Sequence, residues 1–490
     1  MLFNSFAFIF VFLPIALIGF FGIARFISAK MAIAWLAISS LAFYGYWSIA
    51  YLPLLGISIV FNYTIGSLIG RAPFQSQRSK QLLGLGITVN LLLLGYYKYA
   101  GFFLHSSNRL FNTDWFVPEI ILPLGISFYT FTQTAYLVDA YRGETKNYDF
   151  LTYLLFVTFF PHLIAGPILH HSDVIPQFYR LRNFVVSQKN MALGLTLFTL
   201  GLAKKVLIAD TISPWVGVAF SNTANLNFLE AWVGAISYTL QLYFDFSGYS
   251  DMAVGLGFML NIVLPINFNS PYKALSITDF WRRWHITLSN FLRDYLYIPL
   301  GGNRKGQVRR YVNLLITMLL GGLWHGAGWT FIVWGGLHGL YLCINHGWNK
   351  LNLAMPKLLA WVITFVAVVI GWVLFRAHNI HDAIDMLRAM FGLKGIVLPG
   401  DREWSVALVN GVGIAIQPWN QLNLPELNDS KMLSLIALAA LVAWVALLPN
   451  TQQMLARVKP NRRWAIALGG LGGVCLLYLN RVSEFLYFQF

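Results

Sequence analysis

Charge is what this 490-residue chain has least of. Asp, Glu, Lys and Arg make up 11% of it and hydrophobic residues 57%, whereas a soluble domain is about one-quarter charged. Polar linkers are also missing, so the roughly two to four domains of a soluble chain of this length are excluded. Only two cysteines occur, Cys343 and Cys475, both inside apolar runs. They exclude a disulfide framework and a cysteine metal cluster. There is no Gly-x-Ser-x-Gly elbow, phosphate loop or dinucleotide fingerprint, which argues against serine hydrolysis by this chain alone. Internal repeats and low-complexity tracts are absent, and so are the paired broken segments of an inverted-repeat transporter.

What is present is a series of apolar runs of bilayer length. They lie near 5–24, 31–48, 50–69, 83–104, 118–137, 150–168, 190–208, 228–246, 250–266, 311–323, 326–346, 358–376, 430–448 and 462–480. A spanning helix needs about 20 such residues. Several runs are short or broken by Gly and Pro, which membranes tolerate where protein or water covers the backbone. The prediction is an all-α polytopic membrane protein with roughly 11 to 14 transmembrane or re-entrant helices. The first run starts almost at Met1, without an n-region charge or small-residue cleavage site, and reads as a retained helix.

The net charge of +15 sits in the short gaps between runs. That is the positive-inside pattern of a membrane protein, and it argues against a nucleic-acid partner. Arg25 and Lys30 follow the first run, and Arg71, Arg78 and Lys80 follow the third. The gap after the second carries no charge. This places the amino terminus outside and those basic loops in the cytoplasm.

One long segment, 267–310, does not span. It carries Lys273, Arg282, Arg283, Arg293, Arg304, Lys305, Arg309 and Arg310 against Asp279 and Asp294, and belongs in the cytoplasm. Ser276 to Asp279 reads as a capping box. Ile277, Trp281, Trp284, Leu288, Leu292 and Tyr295 then recur at helical spacing, and Pro299, Gly301 and Gly302 stop the helix. The expectation is one amphipathic helix in the membrane interface. A second polar stretch, 377–429, predicts a short helix over Asp382–Phe391 followed by a loop.

An ionisable side chain within a span costs about 2.5–3.5 kcal/mol on insertion scales, so each is a functional candidate. His325 lies between two apolar runs, after Gly321-Gly322 and before Gly326-Ala327-Gly328. A neutral imidazole there can take a proton from a hydroxyl, as a general base does in acyl transfer. A satisfied core histidine at a helix break fits the local sequence equally well. His285 shares a helical face with Trp281, Leu288 and Leu292. It reads either as a second polar group at a cytoplasmic entrance or as an interfacial histidine. Gly301 to Gly306, with Arg304 and Lys305, together with Arg282 and Arg283, suits the phosphates of an acyl carrier; ordinary cytoplasmic charge is the bland alternative. Asp245 and Asp251, in Phe244 to Asp251, can orient a histidine or mark a polar helix break. Asn267 to Tyr272, which includes Asn269, reads as a turn opening the cytoplasmic segment. His170-His171 and His378/His381 lack a third ligand at defined spacing, so no metal site is assigned. Asp139, Arg142 and Glu144 read as a charged span end.

Several of these stretches together resemble the membrane-bound O-acyltransferase (MBOAT) superfamily. They include the opening Met1 to Ser5, Leu122 to Phe131, Ala165-Gly166-Pro167-Ile168 and Phe246 to Asp251. The most specific are Asp279-Phe280-Trp281-Arg282-Arg283-Trp284-His285 through Gly301-Gly302-Asn303-Arg304, and Gly321-Gly322-Leu323-Trp324-His325-Gly326; the terminal Phe485 to Phe490 fits as well. The similarity is greatest to the bacterial branch with the membrane subunit of alginate O-acetyltransferase and the peptidoglycan and cellulose acetylation proteins. It implies that residues 1–490 form a single MBOAT membrane domain whose helices surround a central tunnel. It implies that His325 is the catalytic histidine and His285 a second catalytic position. Arg282, Arg283, Arg304, Lys305, Trp324 and Asn269 are then the donor-binding candidates, and Asp245 and Asp251 the orienting ones.

That resemblance leads to a working expectation. Acetyl-coenzyme A, a substrate and not a bound cofactor, supplies acetyl from the cytoplasm. The group leaves across a bacterial inner membrane towards an extracytoplasmic polysaccharide, with a periplasmic SGNH-type partner. D-alanyl transfer to teichoic acid, as in a sister branch, and transport without transferase chemistry are the rival expectations.

Overall fold

The computed structural model describes residues 1–145, 148–164, 166–400, 414–458, 461–480 and 486. Ala165 and, apart from Leu486, the terminal motif Phe485 to Phe490 lie outside the described residues. So do residues 401–413 of the polar stretch. The described residues are overwhelmingly helical; two four-residue strands, Ile396–Pro399 and Ile414–Gln417, pair in parallel. By length and composition five helical segments can cross a membrane: Ala7–Phe26, Ile49–Arg71, Gln77–Phe111, Gln188–Phe220 and Lys357–Arg376. The shorter Ala29–Gly45 and Lys431–Leu447 are apolar as well. The chain is a polytopic membrane protein.

The residues cluster into two compact units. The first comprises 1–203, 248–267 and 457–480, and the second 204–247, 268–456 and 481–490. Lipid tails are as apolar as leucine, so packing and polar contacts hold such helices together. In the first unit Asn62 and Asn90 exchange amide hydrogen bonds of 3.1 and 2.6 Å between the Leu52–Arg71 and Gln77–Leu94 helices. Gln133, on the Ile126–Tyr141 helix, donates to Ser58 Oγ at 2.9 Å. Phe3, Phe8, Phe43 and Phe160 form a buried aromatic cluster in the same unit.

Two expectations need correction. The runs 228–246 and 250–266 do not form two spans: Phe228–Met259 is one unbroken helix of 32 residues. Its polar stretch is satisfied where it stands. Lys204 Nζ donates to Ser247 Oγ, Asn267 Nδ2 donates to Ser250 Oγ, and Lys205 neutralises Asp245. No break is needed to hydrate them. The 267–310 segment is likewise not one amphipathic helix. Ser276 Oγ accepts from the Asp279 N–H at 3.1 Å, as the capping motif predicts. The helix nevertheless stops at Trp281, restarts over Ile286–Leu292, and loosens into a π-helical turn, Arg293–Tyr297. Phe280, Trp281 and Trp284 are buried in the second unit's core instead of facing lipid. Farther on, Ile380–Met390 matches the short helix expected near 382–391, capped by Asn379.

Candidate active site

The candidate site belongs to the second unit and is built on a helical hairpin. The Gln307–His325 helix and the Trp329–Lys350 helix meet through Gly326-Ala327-Gly328, where Gly326 and Gly328 are extended. The glycines on either side of the turn let the backbones touch. A Cβ on Gly322 would collide with the Phe331 carbonyl and lie 3.1 Å from Gly335 Cα; one on Gly335 would collide with the Met318 carbonyl. His325 is the last residue of the first helix, held by this contact.

His325 is buried, 8% exposed. Its ring lies 4.9 Å from Trp324, 5.2 Å from Trp334 and 5.2 Å from Phe375, centroid to centroid. His285 is 0% exposed, with its ring 4.8 Å from Phe246, 6.2 Å from Trp324 and 6.4 Å from His325. The two histidines, 40 positions apart in sequence, thus share one aromatic nest. His285 sits at φ 42°, ψ 55° between the two short helices. This left-handed conformation costs a non-glycine residue about 1–3 kcal/mol and is typical of functional sites. The flanking helices of five and seven residues do not span, and burial pushes the His285 imidazole down to about 3. It is therefore neutral near pH 7, able to donate one hydrogen bond and accept another.

Trp281 connects this nest to the surface. It lies 5.9 Å from Trp334 and lines a cleft of about 450 Å³ with Arg282, Arg293, Tyr297, Arg310 and His346. Arg310 Nη2 approaches the His346 ring nitrogens at 2.8 and 3.1 Å. Tyr297 donates to Asn303 Oδ1 at 2.5 Å. Three guanidiniums line the cleft; Arg293 is paired with Asp294 through Nε and Nη2 at 2.7 and 2.8 Å, and Arg282 and Arg310 complete a basic lining that suits phosphate.

The expected residues fall into different places. His285, Trp324 and His325 come together, and Arg282 reaches the cleft. Arg283 turns instead to Asp279, 2.9 Å away. Asn269 works as a fastener: its N–H donates to the Arg283 carbonyl and its Oδ1 accepts from Asn450. Arg304 and Lys305 are exposed, and neither is among the residues lining the cleft. Asp245 is held in a buried triad, with Lys205 Nζ 2.6 Å from it and 2.8 Å from Asp210. Its neighbour Phe246 contacts His285. Asp251 is buried and belongs to the first unit.

Three residues of the site escaped sequence reading. Arg293 and Arg310 were visible only as bulk positive charge, and His346 was hidden inside an apolar run. Arg310 and His346 are equidistant from Gly328, so the hairpin pairing is the signal that connects them. His338, 0% exposed, adds a third buried histidine ring 4.9 Å from Trp334.

Comparisons with known proteins agree with this chemistry. Residues 32–380 match the membrane-bound O-acyltransferase family, MBOAT. A Helicobacter pylori protein named peptidoglycan O-acetyltransferase is 46% identical over 430 residues, covering 81% of this chain and 81% of that protein. The probable alginate O-acetylase AlgI of Pseudomonas aeruginosa is 46% identical over 399 residues, covering 80% of this chain and 75% of that one. A Bacillus subtilis teichoic acid D-alanyltransferase is 28% identical over 279 residues, covering 54% of this chain and 71% of that one. With the family matched along most of its length and the paired histidines in one nest, the chain belongs to the membrane-bound O-acyltransferase family and is a membrane O-acyltransferase.

Proposed function

We propose that this acyltransferase takes acetyl from cytoplasmic acetyl-coenzyme A and delivers it outward across a bacterial inner membrane for O-acetylation of a surface polysaccharide. The observation that carries this reading is the His285–His325 nest joined through Trp281 to an arginine-lined cleft. The phosphates of the donor bind Arg282, Arg293 and Arg310. An acceptor hydroxyl attacks the thioester carbonyl carbon as His325 takes its proton. The C–S bond then breaks, and the proton passes to the departing thiolate. His285, buried with its ring 6.4 Å from that of His325, orients the reacting oxygen. The names of the relatives at 46% identity support acetyl as the cargo and a peptidoglycan- or alginate-like polymer as the acceptor. D-alanyl transfer has support at 28–29% identity. The lack of a serine-hydrolase motif supports a periplasmic SGNH-type partner that completes transfer to the polymer, and the early basic loops support an external amino terminus.

Purified protein is incubated with labelled acetyl-coenzyme A, and acetyl transfer is followed. His325→Ala is expected to lower the rate about 10²–10⁴-fold. A wild-type rate in that variant overturns the assignment. Acetyl content of each surface polymer in a deletion strain identifies the acceptor.

A further inference from the structure

A separate group of metal-ligating side chains lies in the first unit, outside the chemistry above. Asp139 is on the last turn of the Ile126–Tyr141 helix, and His170 and His171 open the His171–Phe178 helix. Asp139 is 0% and His171 2% exposed, while His170 is partly exposed. One carboxylate oxygen, Asp139 Oδ2, lies 3.4 Å from His170 Nδ1 and 3.2 Å from His171 Nε2. All three ligand atoms fall within 4.8 Å of one another.

Those distances bear on two arrangements. Charge-assisted N–H···O contacts close to about 2.7–2.9 Å, and both contacts are longer than that, although 3.2 Å is still hydrogen-bonding distance. Ligand atoms around a tetrahedral zinc ion, bonded at about 2.0–2.1 Å, are separated by about 3.4 Å. The surroundings also suit a cation site. The other oxygen, Asp139 Oδ1, faces Arg142 Nη1 at 3.7 Å, so the guanidinium and the histidines use different oxygens. The second nitrogen of His171, Nδ1, is 3.0 Å from the Tyr148 hydroxyl, the outer partner that orients a ligating imidazole. Tyr148 in turn lines a cleft of about 420 Å³ with Tyr63, Arg71, Tyr136 and Tyr141.

We propose that Asp139, His170 and His171 bind one divalent transition-metal ion, with zinc as the best match and a fourth position open to water or a small ligand. Two imidazoles and a carboxylate select zinc or iron over magnesium or calcium. The ion ties the end of one helix to the start of another, and this role is independent of acyl transfer.

The test uses the full chain purified in detergent without chelators, with metal content measured by mass spectrometry. Wild type and His325→Ala are expected to carry about one ion per chain. Asp139→Asn and His170→Ala lose it while still eluting as monodisperse protein; His170 is partly exposed, so its variant reports on binding without emptying a core position. Tyr148→Phe keeps the ion but weakens affinity about 10–100-fold against a chromophoric chelator. Stripped wild type takes up Co²⁺ saturably, with visible absorption bands that His170→Ala lacks. Iron in place of zinc supports the site equally. Wild type with neither resident metal nor saturable Co²⁺ uptake overturns the proposal, as does metal content unchanged in Asp139→Asn and His170→Ala. Because the readout is metal and His325→Ala retains it, failure here leaves the acyl-transfer reading intact, and the converse holds.

Discussion

His285 combines two properties that are separable by mutation. Its backbone occupies the left-handed region, which asparagine also tolerates, and its ring faces His325. His285→Asn is therefore expected to preserve thermal stability and lower the acetyl transfer rate about 100-fold or more. Melting curves and rates on the same preparation check both halves. The arginines divide in the same way. Arg310 lines the cleft and Arg304 does not. A hydrogen bond to a charged group contributes about 1.5–3 kcal/mol, so Arg310→Ala should raise the KM for acetyl-coenzyme A about ten- to hundred-fold with kcat nearly unchanged. Arg304→Ala should leave KM at the wild-type value. Steady-state kinetics over donor concentration separates them.

The element that sets His325 in place is the glycine-lined hairpin. Gly322→Ala pushes a methyl group into the Phe331 carbonyl and the Gly335 backbone. Overpacking of this kind costs about 1–3 kcal/mol, so both stability and transfer should fall. Gly347→Ala, on the hairpin's other helix with open space at its Cβ, is the control and should change neither. A second element depends on charge. Lys205 lies in a π-helical turn, Lys204–Ala209, whose extra residue places it between Asp210 and Asp245. Removing one member of a buried ion group strands the others, at about 3–5 kcal/mol. Lys205→Met should lower the melting temperature in detergent more than any exposed Lys→Met substitution. This turn was not readable from the chain, because π-helical geometry follows from what the side chain must reach and not from local propensity.

For the whole molecule, the donor reading predicts sidedness. In oriented proteoliposomes, acetyl-coenzyme A should be consumed when added to the face carrying segment 267–310, and not when added to the opposite face. Consumption from both faces would contradict a cytoplasmic donor. Membrane insertion, the helical class, most helix positions, the Ser276 cap and the short helix near 382–391 were legible in the sequence, which also singled out His285 and His325 as candidates. Each depends on local composition, short-range spacing or recurring motifs, and a polypeptide carries these in one dimension. Other features needed the packed structure. The fusion of two runs into Phe228–Met259, the break at His285, the burial of Trp281 and Trp284, the pairing of Arg310 with His346, and the meeting of Asp139 with His170 and His171 depend on residues tens of positions apart. Their polar groups were costly or cheap according to the partners that distant helices supplied, and only the tertiary structure decided which partners those were.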